Sequence, residues 1–101
     1  MPKLYDYFGL RVYFYANEHE PVHVHGFHQG RESKAELVIV NGVVVEIRIL
    51  AVGGMRPLAG RAAKDFALLV RSKADDIVSK WTEFFVLNRP IQPEIITKRL
   101  K

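Results

Sequence analysis

Hydrophobic and polar positions alternate with a period of two over the first half of the chain and change to helical spacing after residue 56. Leu10 to Ala16 reads Leu-Arg-Val-Tyr-Phe-Tyr-Ala, rich in aromatic and β-branched residues, which is the pattern of a half-buried strand. Val12 and Phe14 then share one face, and Arg11, Tyr13 and Tyr15 the other. Tyr5 to Phe8 either extends this strand through a bulge at Gly9 or pairs with it as a short hairpin. After Asn17-Glu18-His19-Glu20-Pro21, a second strand turns Val22 and Val24 inward and His23 and His25 outward. Lys34 to Val40 and Val43 to Ala51 flank Asn41-Gly42, a pair that adopts positive φ readily and therefore predicts a two-residue hairpin turn. Ala35, Leu37, Ile39, Val43, Val45, Ile47 and Ile49 are assigned to the core face. Lys34, Glu36, Glu46 and Arg48 fall on the outer one.

Gly53-Gly54 ends this alternation. Pro57, tolerated in a first helical turn, predicts a helix to about Arg71 with Leu58, Ala62, Phe66, Leu69 and Val70 inward. Ser72-Lys73-Ala74-Asp75 resembles a capping box that starts a second helix, whose apolar stripe is Ile77, Val78, Trp81, Phe84 and Phe85. Trp81 at that spacing is read as core. Arg89-Pro90-Ile91-Gln92-Pro93 stops the helix. The expected fold is α+β: an antiparallel meander of about four strands with two C-terminal helices on one sheet face. Residues 1–87 form the domain and 88–101 a basic C-terminal extension.

The chain has 101 residues, 49% of them hydrophobic, enough for one core, and no cysteine. Disulfides and thiolate zinc sites are thereby excluded. The N-terminus lacks a basic segment followed by an apolar run, and no stretch approaches the ~20 apolar residues that span a bilayer, so a cytoplasmic protein without membrane contact is expected. Charge is uneven: residues 1–55 hold five Lys and Arg against six acids, and residues 56–101 hold ten against five. The basic half is read as a solvated helical face with a basic tail, because no basic run there is interleaved with aromatics. Contact with nucleic acid is the alternative.

Three of the four histidines fall within six positions, His23, His25 and His28. Imidazoles ligate metals and move protons near neutral pH. Plain alternation leaves His28 on the core side and exposes Phe27. A bulge at Gly26 would reverse this, returning Phe27 to the core and setting all three histidines on one surface. Such a trio could hold a divalent transition metal such as zinc, with Glu18, Glu20 or Glu36 as a fourth ligand or supporting partner. A metal-free acid/base pair acting on a phosphodiester is a second use of the same residues. Neither a phosphate-cradling glycine loop nor a nucleophile elbow accompanies them. Tyr13, Tyr15, His23, His25, His28 and Arg48 make up the candidate binding face.

Met1-Pro2 ahead of a strand, the Pro21-Val22-His23-Val24-His25 element and the helix carrying Trp81-Thr82-Glu83-Phe84-Phe85 resemble a family of small bacterial proteins catalogued as domain of unknown function 4160. The resemblance spans roughly residues 1 to 87. Members usually read Pro-His-x-His, and Val22 stands here at the first histidine's place. The resemblance implies a bacterial cytosolic protein, often encoded beside another small domain in toxin–antitoxin-like arrangements, and brings no activity with it. The sequence therefore points to a binding module for a small protein partner or for a second copy of itself. The alternatives are a metal-dependent or histidine-based hydrolase of ribonuclease type and a nucleic-acid-binding regulator.

Overall fold

A computed structural model describes residues 2–15 and 21–100. Five strands follow one another as a meander: β1 (Lys3–Tyr7), β2 (Leu10–Tyr13), β3 (His23–His28), β4 (Arg31–Val40) and β5 (Val43–Ala51). Helices α1 (Gly60–Ser72) and α2 (Ala74–Trp81) come next, then one π-helical turn at Thr82–Val86 and a last strand, β6 (Glu94–Ile96). The class is α+β as expected, but the sheet has six strands in the order β5-β4-β3-β2-β1-β6. β6, from the basic C-terminal segment, lies parallel to β1 and buries Ile96.

Three hairpin turns share one geometry. Phe8-Gly9, Gln29-Gly30 and Asn41-Gly42 each place two successive residues at positive φ, the conformation whose twist matches that of the flanking strands. The first makes Tyr5 to Tyr7 part of a separate hairpin strand with Phe8 in the turn, which resolves that choice in favour of pairing. Asn suits this conformation, whereas Phe and Gln adopt it at some cost.

Val12, Phe14, Val24, Ala35 and Leu37 form the inward sheet face, closed over by Phe66, Leu69 and Val70 of α1 and Ile77 of α2. The rings of Phe84 and Phe85 lie against Phe14, at centroid distances of 6.3 and 5.6 Å. Trp81 packs on Phe85 at 5.2 Å, at the core's margin and only half-buried. Two bonds seat α1 over the sheet: Glu32 N–H donates to the Arg56 carbonyl, and Leu58 N–H donates to Ser33 Oγ, each at 2.9 Å.

Several sequence expectations are corrected. α1 starts at Gly60, because Leu58 N–H is spent on Ser33 and Pro57 lies before the helix. Ser72 closes α1 and does not cap α2, whose N-cap Lys73 makes no side-chain capping bond. In β5 the register slips by one residue opposite Val38 and Ile39, so Val44 pairs with Ile39 and Glu46 with Val38. Val44 and Ile47 consequently pack on the core, while Val43 and Val45 are exposed.

Gly26 is not a bulge. β3 pairs regularly with both neighbours through it, Val12 and Ser33 standing opposite. A Cβ built on Gly26 would lie 2.7 Å from two ring atoms of Phe66, so the glycine is there to admit that ring against the sheet. Gly26→Ala is expected to cost about 1–3 kcal/mol, the usual effect of overpacking a filled core, as read by chemical denaturation.

α2 is tied to β1 by a polar cluster. Tyr5 O–H donates to Asp76 Oδ2, Lys80 Nζ sits 3.0 Å from the same oxygen, and the Lys80 ammonium lies 4.4 Å above the Tyr5 ring. Burial, reinforced by the bond to Asp76, raises the Tyr5 phenol far above its ordinary value. Burial works against the Asp76 carboxylate, yet the hydrogen bonds from Tyr5 and Lys80 hold it below the usual carboxyl range. A raised phenol contributes its full stability below the unfolded value of about 10 and loses it as pH climbs towards the folded value. Melting temperature should therefore fall above about pH 10, and Tyr5→Phe should flatten that alkaline limb. No described helix is long and apolar enough to cross a membrane.

Candidate functional site

The sheet face turned away from the helices is built by cross-strand registers. One row runs Arg11, Phe27, Glu32; the next runs Tyr13, His25, Lys34, Leu50; a third runs His23, Glu36, Arg48. Residues directly opposite in an antiparallel pair share a face, so these side chains form one surface. Tyr15, just beyond β2, folds over its centre.

His25 is the hub of this surface and is only 4% exposed. Its Nδ1 lies 2.8 Å from Glu32 Oε2, and Glu32 is 3% exposed. Tyr15 O–H donates to that same carboxylate oxygen. The Tyr15 ring lies flat on the imidazole, centroids 3.8 Å apart and planes 3° from parallel. Phe27 closes one side, edge-on to Tyr13 at 5.6 Å and stacked near Tyr15 at 6.4 Å. A carboxylate accepts hydrogen bonds and cannot donate them, so an ionised Glu32 takes one from Tyr15 and one from a protonated His25 Nδ1. That fixes both the imidazole's tautomer and its orientation.

His23 is half-buried beside His25, ring centroids 5.4 Å apart, with its Nδ1 2.7 Å from the Pro21 carbonyl oxygen. Next to it Pro21, Val22, Glu36, Val38, Ile39 and Arg48 line an open groove of about 430 Å³. Arg48 Nε donates to Glu46 Oε2 at 2.9 Å. This hydrogen bond draws the Glu46 carboxyl below its usual range.

The structure brings together Tyr13, Tyr15, His23 and His25 and places Arg48 at the far end of the same face. It does not bring in His28. The regular register through Gly26 sends His28 to the helix side, beside Gly9, and leaves Phe27 outside, so the expected three-histidine surface is not formed. Among the described residues no three histidine or acidic side chains gather as a cage for a metal ion. Glu18 and Glu20 lie outside the described residues. Glu32 is the functional residue that sequence reading passed over. Its signal is the Gln29-Gly30 turn, which starts β4 at Arg31 and so sets Glu32 opposite Phe27 on the histidine face.

These features define a single-sheet α+β domain whose outer face is organised around a buried histidine–glutamate pair. The chain belongs to the family described as domain of unknown function 4160, whose profile matches residues 9–82. That span contains the Pro21–His25 element, Glu32 and Trp81, while β1 and β6 lie outside it. No curated protein and no solved structure matches the chain.

Proposed function

We propose that the protein is a binding module of the bacterial cytoplasm that presents its outer sheet face to a small protein partner. Tyr13, His23, Lys34, Glu36 and Arg48 make the contact, and the groove beside His23 receives a partner side chain. The observation that carries this reading is the closure around His25. A general base has to reach the proton it abstracts. His25 is buried, bonded through Nδ1 to Glu32 and covered by Tyr15, which suits a brace that holds the face in shape. Around the brace stand Tyr13 and Phe27, with Arg11 and Arg48 in the flanking rows, and aromatic residues with arginine are what protein-recognition surfaces are enriched in. A small protein encoded beside this one, as the family resemblance implies, would be the companion this reading needs. Fold alone assigns no activity, so the reading rests on this surface.

Capture from soluble extract of the protein's own cell, using immobilised full-length chain, tests it. Wild type and His28→Ala, altered on the other face, should retain the same protein in stoichiometric amount. Tyr13→Ala and Lys34→Glu should each weaken retention by about tenfold or more, the loss that truncating a contact worth ~1.4 kcal/mol produces. Multiple-turnover cleavage of RNA that disappears in His25→Ala at unchanged melting temperature would overturn the reading in favour of a hydrolase.

A further inference from the structure

The binding face leaves one large feature unused, the free edge of the sheet at β5. β5 is the terminal strand in the order β5-β4-β3-β2-β1-β6, nine residues long, with no further described strand beside it. Its apolar side chains are open to solvent, Val43 at 60%, Val45 at 58% and Ile49 at 44%. Natural edge strands are normally blunted by charged side chains, lysine above all, or by proline, bulges or short length; β5 carries two charges, Glu46 and Arg48, of opposite sign. β5 contains neither proline nor lysine, and its one irregularity lies near the hairpin, so Glu46 to Ala51 runs as a regular edge. Below that edge a groove of about 480 Å³ separates β5 from the helices, lined by Val44, Ile47, Ile49, Ala67 and Ala74 with Arg71 and Asp75 at its rim.

The charge pattern selects the occupant. Glu46 and Arg48 stand two positions apart on the outer side of β5, each more than half exposed. An antiparallel strand related by a two-fold axis through Ile47 sets Glu46 of each copy against Arg48 of the other and Ile47 against its own equivalent. The Glu46–Arg48 pair thus occurs twice across the seam, once on each side of the axis, as an isologous interface requires. The same pairing takes Val45, Ile49 and Leu50 from water and satisfies the outward backbone groups.

We propose that the protein forms a symmetric dimer by antiparallel pairing of β5 with β5 of a second copy, joining two six-stranded sheets into one. The outer faces then lie side by side on one continuous sheet, so a two-site partner would be bound with avidity. The dimer does not depend on the outer-face reading, because Tyr13 and Lys34 lie off the edge.

Sedimentation of the full chain provides the test. Wild type should run at two-chain mass. Glu46→Arg and Arg48→Glu, each leaving an edge of one sign, should run at one-chain mass with unfolding transitions that remain cooperative. An equimolar mixture of these two variants should recover the two-chain particle containing one of each, and the double reversal Glu46→Arg with Arg48→Glu should pair with itself. Amide exchange in β5 of the unaltered protein should slow as concentration rises, which gives an answer even where a variant fails to fold. One-chain wild type at the highest soluble concentration, β5 amides indifferent to concentration, or two-chain mass persisting in both single reversals would overturn the proposal.

Discussion

Phe66→Ala is expected to destabilise the protein by about 3–5 kcal/mol, the range for truncating a buried phenylalanine, measured by denaturant unfolding. Phe66 has no exposed surface, and its ring fills the space above Gly26 where a Cβ would otherwise stand. Removing the ring leaves a cavity between α1 and the middle of the sheet. The pair is also coupled. In the Phe66→Ala background the added methyl of Gly26→Ala enters the vacated space, so a substitution that destabilises wild type should become neutral or stabilising. A sum of the two single losses would show that ring and glycine act independently.

The second large effect is at Glu32. Glu32→Ala is expected to cost about 3 kcal/mol, because it removes the one carboxylate that accepts from both Tyr15 O–H and His25 Nδ1, and a hydrogen bond to a charged group contributes roughly 1.5–3 kcal/mol. Glu32 and His25 are almost inaccessible, so water cannot readily replace the lost acceptor. Glu32→Gln keeps a carbonyl acceptor of similar size and should recover part of the loss. Tyr15→Phe in the Glu32→Ala background should cost less than in wild type, since its hydrogen bond is already gone. A Glu32→Ala variant that melts with wild type would show that the carboxylate does not hold the histidine face.

Much of this arrangement was legible from local pattern, and the rest depended on partners distant in sequence. Asn41-Gly42 announced its turn because Asn tolerates positive φ, and the alternation of Val24 with His23 and His25 sent each to its proper face. Phe8-Gly9 and Gln29-Gly30 adopt the same geometry without that residue chemistry, which left the pairing of β1 open between two arrangements and hid the true start of β4. Missing the start of β4 meant missing Glu32. Gly26 signalled a constraint, but a glycine admitting a ring from a helix forty residues away looks, in sequence, like a glycine making a bulge. The shift in β5 changed which valines face the core, an outcome that period-two alternation cannot foresee. β6 is three residues long and pairs with β1 across nearly the whole chain, so no local periodicity marks it.

His25 braces the outer sheet face from within, its Nδ1–H donated to Glu32 beneath the Tyr15 ring. Nitrogen-detected NMR of the imidazole tests this most directly. A protonated Nδ1 on His25 is expected, its proton exchanging slowly with solvent at neutral pH and much faster in Glu32→Ala. A His25 Nδ1 proton lost to rapid exchange in the wild-type protein, or one unaffected by removal of Glu32, would contradict it.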